Sequence, residues 1–222
     1  MVDGILSLIL FGIELILLII ICVKNRDHPQ FWIIFTIMLL LQTYQLSEFL
    51  LCIGVAQNIV VRLAISIITY LPPTGYLLTI RVLQCKRKFV QIIYYLSLLF
   101  AVILSFYYLF VDTTIVLQDC NPLYAVYQIG FSLLYGIFYY LVILFALLVI
   151  FYQIIFKGVL KHKIKGLLVL IGYISFLLPM AITLIVDPLL IPAISSIMCK
   201  YAILLAVMLF IFSFYREKEQ EK

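Results

Sequence analysis

The sequence predicts an all-α, polytopic membrane protein: one domain over residues 1–222, seven transmembrane helices, the N-terminus outside and the C-terminus cytoplasmic. Three observations carry this expectation. Of the 222 residues, 67% are hydrophobic and 11% charged, with a mean hydropathy of +1.26, far above the apolar share of a soluble domain. Long uncharged runs recur from end to end and leave no stretch for a separate soluble unit. The basic residues, finally, crowd into alternate breaks between those runs.

A hydrocarbon core about 30 Å thick needs roughly 20 apolar residues per helix. Cutting at charged or Pro/Gly/Asn-bearing breaks gives spans at 4–23, 31–53, 58–82, 89–111, 124–156, 165–186 and 190–215. The breaks read "KNRDHPQ", "GVAQN", "LQCKRK", "VDTTIVLQDCNP", "KGVLKHKIK" and "VDPLLIP". The opening "MVDG" carries an acid where a signal peptide has a basic region, so the first run is expected to stay as a helix.

Orientation follows from Lys and Arg in short loops, which are retained on the cytoplasmic side. Lys24 and Arg26 follow helix one. Arg81, Lys86, Arg87 and Lys88 join helices three and four; Lys157, Lys161, Lys163 and Lys165 join five and six; Arg216, Lys218 and Lys222 form the tail. Those are thirteen of the fifteen basic residues. The opposite loops hold Asp3, Asp112, Asp119 and Asp187. The net charge of +5 is therefore explained by topology and by anionic inner-leaflet lipids, without a nucleic-acid partner. The same basic loops offer a docking place for a cytoplasmic protein partner. Trp32 and Tyr215 suit interfacial anchoring.

Four ionisable residues remain at membrane depth, where they are costly and usually face the bundle interior. Glu14 lies mid-span in helix one and reads as structural, or as protonated and facing lipid. Glu48 stands about 27 Å up helix two from Gln30, and Lys200 about 24 Å above Arg216, at 1.5 Å per residue. Arg62 begins helix three. Glu48, Arg62 and Lys200 are thus expected at one level in the outer half.

The helical faces agree. Leu41, Tyr44, Gln45, Glu48 and Cys52 share a stripe on helix two, and Arg62, Ser66, Tyr70 and Thr74 recur every four residues on helix three. Helix five offers Gln128, Ser132 and Tyr135, and helix seven offers Ser196 one turn from Lys200. Turned inward, these faces would enclose a polar, outward-facing cavity floored near "YLPPTGY". There Pro72 and Pro73 are expected to kink the helix, as is Pro179 in helix six. The alternative is a structural pair that fixes helix register.

Several chemistries are disfavoured. His28 and His162 both fall in cytoplasmic loops, so the intramembrane His ligands of a zinc hydrolase are missing. No GxSxG, HExxH or phosphate-cradling glycine loop occurs. Cys22, Cys52, Cys85, Cys120 and Cys199 lack metal-ligand spacing and read mainly as small apolar residues. A Cys52–Cys120 bridge on the outer side is the alternative in an oxidising compartment. Lys200 in the last helix would suit a retinal Schiff base, but helix three supplies Arg62 instead of a counter-ion. Glu48 substitutes only if helices two and seven adjoin. Prolines in helices three and six also permit a transporter built of two related halves.

The order of "FWIIFTIMLLLQTYQLSEFLLCIG", Arg62, "YLPPTGYLLTIRVL" and "IKGLLVLIGYISFLLPMAITLIV" before a last helix resembles the seven-helix sensory regions preceding histidine kinases in bacteria and archaea. It is equally similar to a stand-alone prokaryotic seven-helix family with a Cys-aromatic element in its last helix, here "SSIMCKYA". The resemblance implies a sensor-like membrane domain without catalytic residues or cofactor. Two features depart from it. No output domain follows Arg216, so sensing would need a separate partner, and Lys200 stands where an apolar or aromatic residue is expected.

The resulting expectation is a receptor-like protein binding a small molecule or lipid headgroup. Glu48, Arg62, Lys200, Gln45, Tyr44, Tyr70 and Ser196 would form the site. Glu48 would accept from a cationic or hydroxyl group, Arg62 and Lys200 would balance it, and the tyrosines would wall it. A small-solute or lipid transporter and a structural membrane subunit are the competing classes.

Overall fold

In the computed structural model, residues 4–130, 132–156, 163–186 and 194–215 are described. Eight α-helices run as α1 (Ile5–Lys24), α2 (Phe31–Cys52), α3 (Gln57–Ile68), α4 (Leu71–Val82), α5 (Lys88–Phe106), α6 (Ser132–Phe156), α7 (Lys163–Val186) and α8 (Ile194–Phe214). Because α3 and α4 run on as one rod, Gln57–Val82, they make seven rods. Six of these are long and apolar enough to cross a membrane, and α7 carries a shorter apolar stretch, Ile164–Pro179.

The boundaries follow local chemistry. Pro29 cannot extend α1, and α2 restarts two residues later, where Phe31 N–H donates to His28 C=O at 2.8 Å. At the end of α2, Gly54 takes the left-handed φ of +84°. Its N–H reaches Leu51 C=O at 3.0 Å, and Val55 N–H reaches Leu50 C=O at 2.9 Å, the paired closure of a Schellman end.

The expected kink in the third rod is a break at Thr69 and Tyr70. Pro72 and Pro73 have no N–H to return to the preceding turn, and they sit in the first turn of α4, where none is needed. Pro179 lies inside α7.

The stretch between α5 and α6 departs from the expected helix at 124–156. The chain leaves α5 through a π-helical turn, Tyr107–Val111. It then forms an antiparallel hairpin of β1 (Val116–Cys120) and β2 (Ala125–Gln128), with a bulge between Leu117 and Asp119. Helix α6 begins only at Ser132. Asn121 and Pro122 form the turn between the strands, residues that end a helix rather than continue it.

Helix α2 is central and packs on α1, α3, α4 and α8, while α7 lies along α8. The core includes Ile34, Met38, Leu41, Tyr44, Tyr76, Phe176 and Phe212. Ile9, Ile16, Ile92, Leu133 and Ile185 point outward, a surface compatible with lipid.

The two ends differ. At the hairpin end, Gly4 N–H donates to Asn121 C=O at 3.3 Å. Cys52 at the end of α2 is disulfide-bonded to Cys120 of β1, with Cα atoms 5.6 Å apart. At the basic end, Asn25 Nδ2 donates to Ser213 Oγ at 3.4 Å and His28 meets Phe212 edge-on. Arg87 donates to the Tyr152 hydroxyl at 2.9 Å and lies over its ring. Lys157, Lys161, Asp187, Arg216, Lys218 and Lys222 lie outside the described residues, as do Asp3, His162 and positions 190–193 of the last expected helix.

Candidate functional site

Helices α1, α2 and α8 meet beneath the hairpin along stripes that periodicity turns inward. On α1 the buried residues are Ser7, Leu10, Glu14, Leu18 and Ile21, recurring every three or four residues. On α2, Leu41, Tyr44, Gln45 and Glu48 form the matching stripe. Helix α8 contributes Ser196, Cys199 and Lys200.

At the centre Lys200 forms an ion pair with Glu48. The ammonium also donates to Ser7 Oγ at 2.5 Å and to Gln45 Oε1 at 3.2 Å, so each of its three protons has an acceptor. Glu48 Oε1 accepts further from Ser7 Oγ at 3.0 Å and Ser196 Oγ at 2.9 Å. Ser196 in turn accepts from Ala125 N–H of β2 at 3.0 Å, tying hairpin to bundle. Gln45 Nε2 donates to Cys199 C=O at 2.6 Å.

Charges buried this deeply persist only when paired and hydrogen-bonded, and this pair is both. The centre is enclosed: Glu48 and Ser196 are 0% exposed and Lys200 9%. The carboxylate is nonetheless used unequally, since Glu48 Oε2 is buried with no hydrogen-bond partner.

Tyr44, one turn from Glu48, brings its phenol toward that of Tyr127 in β2. Burial first, then the Glu48 carboxylate, pushes the Tyr127 phenol well above its ordinary range. Glu14 faces the same seam rather than lipid; it is 0% exposed and within electrostatic reach of Lys200 and Cys199. Further along, Leu18, Ile21, Ile34, Met38, Leu209 and Phe212 close the seam with apolar side chains, before Asn25 and Ser213 meet at the basic end.

The structure thus brings Glu48, Lys200, Gln45, Ser196 and Tyr44 together and leaves two expected members apart. Arg62 is half-buried and forms no ion pair among the described residues. Tyr70 stands at the α3–α4 break, its carbonyl accepting from Thr74 Oγ1 at 2.7 Å. Ser66 donates to Ser105 C=O at 3.2 Å. The face expected on helix five is dispersed: Gln128 lies exposed in β2, paired with Gln118, and Ser132 is exposed.

Pro72 and its neighbours line an apolar cleft with Ile37, Gly75, Tyr173 and Phe176, whose interior of about 20 Å³ holds about one water. Missing from the sequence reading were Ser7, Tyr127 and the Ala125 N–H. The signal for Ser7 was its position two turns from Glu14 on one face.

Helices α2 and α8 do adjoin, so Glu48 stands where a counter-ion to Lys200 would. The space around the ammonium is nevertheless filled by Ser7, Gln45 and Glu48 themselves. No family model, curated protein or solved structure matches this chain.

Proposed function

We propose that this chain is a sensor-like, seven-helix membrane protein with the hairpin end outside and the basic end cytoplasmic. Its responsive element is the Glu48–Lys200 centre. The positive-inside distribution supports the orientation, and so does the Cys52–Cys120 disulfide, a bond that persists in oxidising compartments.

The observation that carries the functional reading is the half-used carboxylate: Oε1 takes three donors while buried Oε2 takes none. A small molecule or lipid headgroup with an ammonium or hydroxyl group would engage Oε2 and compete with Lys200. Releasing Lys200 removes one hydrogen bond from Ser7 and one from Gln45 at once, leaving Ser7 on Glu48 and Gln45 on the Cys199 carbonyl. The α1–α2–α8 seam then relaxes, and a partner docked on the basic loops registers the shift.

Native mass spectrometry of gently purified protein tests this. A stoichiometric adduct on the wild type that is absent from Glu48→Gln supports it, whereas identical spectra refute it. A structural clamp is the second reading, favoured by the full use of the Lys200 protons. It predicts that Glu48→Gln loses thermal stability while the spectra stay the same. Transport instead would show as solute uptake by proteoliposomes.

A further inference from the structure

Glu14 takes no part in the Glu48–Lys200 network. Both its carboxyl oxygens are buried without a hydrogen-bond partner, and the side chain is 0% exposed. On the facing helix, Gln42 Nε2 is also buried without a partner.

The helical register relates the two. Helices α1 and α2 are antiparallel: Ser7 bonds Glu48, and Gly4 sits against Cys52. Each step down α1 therefore matches one step back along α2. Glu14, seven residues past Ser7, stands level with Leu41, seven residues before Glu48, and so within one residue of the depth of Gln42.

The charged and titratable groups around Glu14 come from each neighbouring element. Helix α8 supplies Lys200 and Cys199, both within electrostatic reach of Glu14, and one turn or more toward the hairpin α2 supplies Glu48 and Tyr44, the latter against Tyr127. Among these, Lys200 is the one cation, and it is already paired with Glu48. With Glu14 and Glu48 both ionised, the seam carries one uncompensated negative charge. An uncompensated charge in a low-dielectric interior costs several kcal/mol or more, so the seam calls for one further positive charge.

We infer that Glu14 is a cation-binding site in the α1–α2–α8 seam, holding one unit of positive charge as a proton or a monovalent metal ion near the depth of Gln42. In the proton case the carboxylate takes up one proton from water, becomes a neutral acid, and presents an O–H donor to the seam. In the metal case the carboxylate and neighbouring oxygens coordinate the ion. The site is separate from the ligand proposed at Glu48 and does not depend on it.

Infrared difference spectroscopy on the full chain in phosphatidylcholine vesicles tests the assignment. Wild type, Glu14→Gln, Glu48→Gln and Gln42→Leu are titrated with acid and base in choline chloride and again in sodium chloride. The expected result is a protonated-carboxyl C=O band that is present in wild type, lost by one carboxyl equivalent in Glu14→Gln, and diminished in Glu48→Gln, where Lys200 is free to compensate Glu14. In Gln42→Leu, which keeps the acid, the band shifts without disappearing. A band indifferent to sodium assigns the charge to a proton; one that sodium abolishes and choline preserves assigns it to a monovalent metal ion. The inference is overturned if, at neutral pH, Glu14 contributes only an ionised-carboxylate band that is the same in choline and in sodium chloride, with no protonated-carboxyl band lost in Glu14→Gln. A band lost in Glu14→Gln while that variant keeps the adduct proposed at Glu48 separates the two proposals.

Discussion

Ser7 on α1 and Ser196 on α8 donate to the same carboxylate oxygen, Glu48 Oε1, at 3.0 and 2.9 Å. Each also accepts one hydrogen bond, Ser7 from Lys200 and Ser196 from Ala125 N–H, so both hydroxyls are saturated in one direction of donation. The outer seam therefore behaves as one unit.

That unit makes the single and double variants differ. Lys200→Met strands the Glu48 charge and is expected to cost about 3–5 kcal/mol, the usual result of removing one partner of a buried pair. Adding Glu48→Gln removes the stranded charge and recovers most of the loss. Thermal unfolding of the three proteins in one detergent measures both effects. Equal midpoints for the single and double variants would contradict the pairing.

The disulfide closes a loop between positions 52 and 120 and holds the hairpin to α2. In the chain-entropy view a loop of that length contributes about 4 kcal/mol. Cys120→Ser should therefore lower the unfolding midpoint markedly, and reductant should lower that of the wild type but not of the variant.

Gly4 caps α1 at a left-handed φ of +71°, with the position of an added Cβ only 2.9 Å from Cys52 Cβ. Gly4→Ala meets strain in the backbone and contact in the packing together. A loss of about 1–2 kcal/mol follows from the backbone alone, and equilibrium unfolding should register at least that much.

Orientation is checked by a membrane-impermeant thiol reagent on intact cells. A cysteine placed at exposed Gln118 in the hairpin should be labelled, and one at exposed Lys86 should be labelled only after the cells are opened. The reverse pattern would invert the proposed topology.

Tyr127 sets an alkaline limit. Its phenol is held neutral in the folded protein by burial, and then by Glu48, to a pH above that at which an unfolded tyrosine ionises. Above about pH 10 the unfolded chain binds fewer protons than the folded one, so stability falls as pH rises. Tyr127→Phe should flatten that decline in a pH series of unfolding midpoints.

The helical rods were legible because apolar runs of membrane length, bounded by Pro29, Gly54 and the basic breaks, leave the backbone few alternatives. The burial of Tyr44, Gln45 and Glu48 followed from their spacing. The hairpin was not legible: Tyr124–Tyr127 continues into an apolar run, and hydropathy alone merges it with α6. Arg62 shows the other limit, since residue counting fixes depth along a helix and not which way its side chain turns within the bundle. Ser7 escaped although it lies two turns from Glu14 on the buried face of α1, because a lone serine in an apolar helix draws attention only once its partner is known.

The apolar closure formed by Leu18, Ile34, Met38, Leu209 and Phe212 has an electrical consequence. Polar groups occupy the hairpin half of the seam and apolar side chains the half beyond Glu14, and both halves are closed to solvent, so a membrane potential would fall across both. Moving one elementary charge through the full potential is worth about 2.3 kcal/mol per 100 mV. Glu14 stands near the middle of α1, so a cation leaving it toward either end would cross roughly half of that drop. Were the chain to span a membrane as proposed, occupancy of Glu14 would therefore respond to the membrane potential as well as to the solution on either side.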